Sequence, residues 1–310
     1  MDGGVKLLSK KIITTNFRDD SISIISEVYP FKTYTLYINK ILNNDYETLD
    51  QKGPIDLFMD KKEKLLLVNA LNDSLIKIDI KSEKLISFIK LGRYPSNIRI
   101  FSDKIYVINS DSNSLSILDE KTMESIETIS LGNNPSSIEI DEIYKRIYIS
   151  NFESYSISVL DFNGGLQEIK IPDKPLKIKI SDENIYILSI INNSVYNKSR
   201  LMAIDRRSMK NTWSIELDGL FFDLVKVAKY DIFYLINPED RFLYSFNERG
   251  RRLEKSIFLG GLPKKILYDG EENIYINDIS NNEVLVVDIN KCLVVHRLKV
   301  GKEPHGLLLL

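Results

Sequence analysis

Apolar and polar residues alternate in four short runs within residues 92–131. Ser96–Phe101 is apolar at Ile98 and Ile100, and Lys104–Asn109 is rich in β-branched and aromatic residues. Ser114–Leu118 places Leu115 and Ile117 on one face, and Ser125–Leu131 does the same with Ile126, Ile129 and Leu131. A period of two over windows this short predicts half-buried strands. Ser102-Asp103, Ser110–Asn113 and Asp119–Lys121 supply the turns, because Asp, Asn and Ser hydrogen-bond their own backbone there. Four such strands make one small twisted antiparallel sheet, which needs neighbours to bury both its faces.

The unit recurs. Its opening proline returns at Pro54, Pro95, Pro135, Pro175, Pro263 and Pro304, with Phe221 at the one missing place, at intervals of 41, 40, 40, 46, 42 and 41 residues. A second marker runs in step: Asn16, Asn69, Asn109, Asn151, Asn237 and Asp278 end the second strand of each copy. Six residues later comes an apolar residue, as at Leu75 and Leu115, and four further on a turn-capping carboxylate, at Asp79, Asp119, Asp161 and Asp288. A four-stranded repeat of this length is a propeller blade. The predicted fold class is therefore all-β: one seven-bladed β-propeller of four-stranded antiparallel blades over residues 1–310. Blade 1 is 5–38 plus 301–310, an insertion covers 39–50, and blades 2–7 are 51–91, 92–131, 132–171, 172–217, 218–259 and 260–300.

The first blade lacks its first strand. Lys10–Thr15 matches a second strand, while Gly301–Leu310 (GKEPHGLLLL) has the repeat's opening and then stops. Pairing Gly306–Leu310 beside Lys10–Thr15 closes the ring, removes exposed sheet edges and makes the last four leucines core residues. The insertion at 39–50 is expected to form a short helix or a loop over one face. A smaller one is expected at Asn192–Ser199, and 218–259 is the most divergent blade.

The pattern G-x-x-P-x-x-I, then I-Y-[VI]-x-N, then S-[LI]-x-[IV]-[LI]-D, clearest at Gly92–Asp119 and Gly132–Asp161, resembles the YVTN family of β-propeller repeats. The resemblance covers most of the chain, more weakly over 172–259. It implies the fold. For function it implies a wide group: surface-layer proteins, uncharacterised periplasmic propellers and, more distantly, lactonases.

Charge changes the picture little. Lys+Arg number 42 against 44 Asp+Glu, so no basic surface is available to hold nucleic acid electrostatically. Cys292 is the only cysteine. It excludes an intrachain disulfide and reads as a small apolar strand residue. The amino terminus has no apolar core of signal-peptide type and no run reaches 18 apolar residues. The expectation is a cytoplasmic protein without a membrane span.

In a propeller, loops joining a fourth strand to the next first strand share a face with loops joining strands two and three. Polar and aromatic residues therefore converge around the channel mouth, where loops carry function. The candidate binding residues are Arg18, Asp19, Arg93, Tyr94, Tyr155, Lys174, Arg241, Lys302, Glu303 and His305. His305 stands at the start of the closing strand and is of a type that titrates near neutral pH; His296 falls on an outer strand. Metal-dependent propeller lactonases gather one Glu, one Asp and Asn residues at the channel, since a hard cation takes oxygen ligands. No repeat, on this reading, holds an unusual carboxylate in its channel-facing stretch. No His/Cys cluster suggests zinc, no phosphate-loop motif occurs, and two His leave little material for a Ser-His-Asp arrangement. Asn163-Gly164-Gly165 is a hairpin turn, and Arg249–Arg252 an exposed basic hairpin. No cofactor or metal is assigned.

The expected function is a non-catalytic binding scaffold that presents its loop face to a protein or peptide partner, with room for a small ligand in the central channel. The alternative is a hydrolase of lactone or sugar-acid type at the channel mouth. A layer or coat role is a third.

Overall fold

A computed structural model describes residues 11–26, 30–42, 51–191 and 197–310. It contains seven four-stranded antiparallel sheets, six of them built from four consecutive strands. The seventh combines the two ends of the chain: Pro304–Leu309 pairs antiparallel with Lys11–Asn16, placing Leu309 opposite Ile12, Leu308 opposite Ile13 and Leu307 opposite Thr14. Innermost strands of successive blades touch one another in a closed ring. The protein is a seven-bladed β-propeller closed by its C-terminal strand. Only Leu307 of the terminal leucines is buried. Leu310 is 45% exposed, which corrects the expectation that all four are core.

Burial follows position in the blade. The second strand Leu65–Asn69 is buried throughout, because both its faces meet neighbouring blades. The outer strand Ser125–Ser130 is exposed apart from Ile129. Among the described residues the buried apolar side chains form seven clusters, one at each junction between neighbouring blades. Leu66 and Val68 of blade 2, for example, pack on Ile98, Ile105 and Val107 of blade 3.

The two sequence markers face each other. Pro54 opposes Asn69, Pro95 opposes Asn109, Pro135 opposes Asn151, Pro263 opposes Asp278 and Pro304 opposes Asn16. Asn109 donates to Ser114 Oγ at 3.0 Å and Ser116 Oγ at 2.9 Å, and Asn16 and Asn151 do the same in their own blades. The glycine three residues before the proline makes room for this asparagine. A Cβ on Gly92 would lie 2.9 Å from the Asn109 carboxamide carbon. Of the predicted caps, Asp79, Asp119 and Asp288 accept from the turn that follows them, whereas the Asp161 carboxylate binds Arg146.

Directly after the proline the ladder slips by one residue in six blades. This bulge leaves Ile55, Ser96, Ser136, Leu176, Lys264 and His305 between paired positions, at the channel mouth. Bulges of this kind re-aim side chains next to functional sites.

Three further expectations are corrected. A helix spans Ile38–Ile41, one residue earlier than the predicted insertion, and Ile38, Ile41 and Leu42 join the core between blades 1 and 2; residues 43–50 lie outside the described ones. Lys198 and Ser199 are not inserted loop but the start of a long third strand, Lys198–Asp205, which lengthens that hairpin; 192–196 lie outside the described residues. Cys292 sits in a turn at φ 54°, not in a strand. The hairpin turn at Asn163–Gly165 forms as expected, closed by Asp161 N–H on the Gly165 carbonyl at 2.8 Å.

Candidate active site at the channel mouth

The two loop sets do share a face, since in each of five blades they are joined by a backbone hydrogen bond. Ser110 N–H to the Tyr94 carbonyl and Phe17 N–H to the Glu303 carbonyl, both 2.9 Å, are two of them. Within this rim lies a cavity of about 550 Å³ to which all seven blades contribute. The bulged residues form its wall, Phe222 taking the same place in blade 6. Tyr94, Asn97, Asp111, Asn134 and Phe152 complete it toward the rim, and Asp56, Lys177 and Lys265 toward the channel.

His305 is strongly altered by this setting. Its ring stacks on Phe17, with centroids 4.8 Å apart and planes 20° from parallel. Nδ1 is buried without a hydrogen-bond partner. Burial, then the charges of Lys264 and Lys265, lower its pKa to about 4. His305 is therefore a neutral base at physiological pH, which corrects the expectation that it titrates near neutrality. Lys177 is shifted in the same sense. Burial outweighs the attraction of Asp223, and neighbouring lysines add to the effect, bringing its pKa down to about 8. Burial also lowers Lys264, against Asp223 and with Lys265.

Below the cavity the inner strands carry a chain of ion pairs. Lys265 Nζ is 3.1 Å from Asp56 Oδ1, Arg99 lies 3.9 Å from the same carboxylate, and Glu139 accepts from Arg99 at 3.1 Å and from Lys179 at 3.0 Å. Burial works to raise the carboxyl of Asp56, but Lys265 and Arg99 overcome it and hold the group below the usual range. At Glu139 the same contest, won by Lys179 and Arg99, brings the pKa to about 2. Asp56 also accepts Ile98 N–H at 3.2 Å, and Asp223 accepts Ile266 N–H at 3.3 Å, each stitching a blade to a neighbour. Five cations, Arg99, Lys177, Lys179, Lys264 and Lys265, thus stand against four carboxylates, Asp56, Asp111, Glu139 and Asp223. The channel favours an anion.

These carboxylates correct the expectation that no repeat holds an unusual one. Two residues after the proline, Asp56 and Asp223 stand where the other copies have Asn97, Ser137, Lys177, Lys265 and Gly306. Comparing that single column across the copies would have found them. Among the described residues no group of three or more His, Cys, Asp or Glu is spaced to hold a metal ion.

Of the ten residues singled out from sequence, Tyr94 and His305 line the cavity. Tyr94 is held at φ 52°, its N–H donated to Asp73 Oδ1 at 2.8 Å. Four others lock the closing blade's loops together: Arg18 pairs with Glu303 at 3.0 Å, and Asp19 accepts Lys302 N–H at 3.0 Å. Lys174 is engaged by Glu153 at 2.7 Å and lies over the rings of Phe152 and Tyr155 at the rim. Arg93 and Arg241 are exposed turn residues. His296 lies on the outer strand, edge-on to Phe31, and Arg249 of the basic hairpin pairs with Asp231.

No protein-family model matches the chain, and no curated protein matches it. Solved structures do. The chain is similar to a Kuenenia stuttgartiensis hydrazine synthase chain at 17% identity and a TM-score of 0.73, covering 82% of this chain and 89% of that one. It is similar to a putative 6-phosphogluconolactonase from Bacteroides fragilis at 11% identity and a TM-score of 0.75, over the full length of both chains. Virginiamycin B lyase from Staphylococcus aureus is similar at 14% identity and a TM-score of 0.69, with 84% and 89% covered. At such identities the shared property is the seven-bladed fold. These neighbours also correct the expectation of a non-catalytic binding scaffold: the three named here bear the names of enzymes.

Proposed function

We propose that the channel mouth is the active site of a hydrolase that opens lactones, or related esters of sugar-acid type. The observation that carries this reading is the buried imidazole of His305, set beside Lys264 and Lys265 in the wall of a cavity that Lys177 also lines. A neutral base next to cations is what carbonyl hydrolysis requires. His305 Nε2 takes a proton from a water as its oxygen attacks the lactone carbonyl. The negative charge that develops on the carbonyl oxygen is stabilised by the lysine ammonium groups, inside a site that screens charge poorly. Collapse of the tetrahedral intermediate breaks the ring C–O bond, and the imidazolium returns its proton to the leaving alkoxide. The product is a hydroxy acid whose carboxylate faces the cationic wall. The resemblance of the repeats to YVTN propellers, with lactonases among their distant members, supports the same reading.

The test is turnover of a panel of aliphatic and sugar lactones by the purified protein. His305→Gln should lower kcat/KM by about 10²–10⁴-fold with the thermal transition unchanged. Equal turnover by His305→Gln, or none on any lactone, overturns the proposal. Reaction in ¹⁸O-water discriminates the chemistry further. Hydrolysis places one solvent oxygen in the product carboxylate, whereas an eliminating lyase that uses the same base leaves the product unlabelled.

A further inference from the structure

A second cavity, of about 300 Å³, lies on the same face between blades 6 and 7 and is lined mainly by Leu220, Phe222, Pro238, Leu262, Pro263 and Ile279. It is not separate from the first: Phe222 and Lys264 belong to the walls of both. Its apolar character is particular to this junction. Immediately before the proline position the other copies carry Gly53, Tyr94, Asn134, Lys174 and Glu303, whereas blades 6 and 7 carry Leu220 and Leu262. Leu262 is 40% exposed. The arrangement follows from the irregular opening of blade 6. Phe221 replaces the proline and is fully buried, packed edge-on to Tyr244. That leaves Phe222 at the junction of the two cavities. At the outer rim Glu239 accepts from Asn197 at 2.6 Å, so that end repels a second anionic group.

We propose that the natural ligand is amphipathic: its carbonyl or carboxylate head sits in the cationic channel mouth, and an unbranched or aryl apolar tail lies in the groove between blades 6 and 7. This rests on the channel mouth being the ligand site, and it selects lactones with a hydrocarbon substituent over polar sugar lactones. Continuity of the walls carries it. Phe222 and Lys264 stand in both walls, so a ligand whose head lies beside Lys264 reaches the groove along Phe222.

Two series test the inference. Binding of acetate, hexanoate, octanoate and decanoate, measured by calorimetry, should tighten about three- to fourfold per added methylene until the groove is filled. Leu262→Glu should abolish that gain, and Leu262→Ala should reduce it. Turnover of γ-hexano-, γ-octano- and γ-decanolactone should rise in the same order. Equal affinity for all four carboxylates, or a slope that survives Leu262→Glu, overturns the proposal. If no lactone is turned over but the carboxylate slope persists, the hydrolase reading fails and this one stands. If lactones are hydrolysed at rates independent of chain length, this one fails alone.

Discussion

Lys265 of blade 7 reaches Asp56 of blade 2 at 3.1 Å, across the blade between them. The intervening blade presents Gly306, and a Cβ there would lie 2.5 Å from Leu57 Cδ2, 3.0 Å from Thr15 Oγ1 and 3.1 Å from the Asp56 backbone. The closing strand thus contributes by having no side chain at this point. The ion-pair chain continues from blade 7 to blade 5 through blades 2, 3 and 4.

Gly306→Ala should therefore destabilise the fold by about 1–3 kcal/mol, the usual cost of overpacking, measured by chemical denaturation. A neutral effect would show that the closing blade relaxes freely around the added methyl.

Glu139→Gln tests the chain at its centre. The Glu139 carboxyl titrates lower folded, at about 2, than the ordinary 4.5 expected unfolded. Its contribution is thus fully present above pH 4.5 and is lost as pH falls toward 2. The variant should be less stable by about 1–3 kcal/mol at pH 7, because Arg99 and Lys179 lose a charged partner. The difference should shrink progressively between pH 4.5 and 2 in denaturation curves taken across that range.

Turnover should follow a bell whose limbs belong to the two perturbed groups at the mouth. His305 must be neutral, so activity falls only as pH drops through about 4. Lys177 must be charged, so activity falls as pH rises through about 8. Lys177→Arg should move the alkaline limb upward and leave the acid limb in place. An acid limb near 6.5 would mean that burial and the neighbouring lysines do not depress His305.

Removing residues 304–310 deletes the innermost strand of blade 1, exposes the edge at Lys11–Asn16 and takes Leu307 from the core. Cooperative thermal unfolding should be lost. Leu310→Ala should change stability by less than about 0.5 kcal/mol, because the side chain is exposed and the backbone pair with Lys11 is kept.

Much of this was legible in one dimension. The proline and asparagine markers predicted the blades because in five of them the two positions oppose one another in the first pair of strands, a local relationship that repeats with the unit. The partial final copy predicted ring closure because an unpaired inner strand has one place to go. His305 and Tyr94 were found as loop residues near the mouth. Asp56, Glu139, Asp223, Lys177 and Lys264 were not, since each looks like an ordinary polar position in an alternating strand. The bulge after the proline breaks that alternation and turns extra side chains into the channel.

The sequence by itself determined how many blades there are and how the ring shuts, because these depend on local strand pairing and a periodic pattern of burial. Only the tertiary structure decided which charges meet. Lys265 and Asp56 are 209 residues apart and become neighbours only when the ring is closed around a glycine. The same closure surrounds His305 with lysines and an aromatic ring, and it is this burial, with those charges, that makes an ordinary histidine a base neutral far below its usual pH.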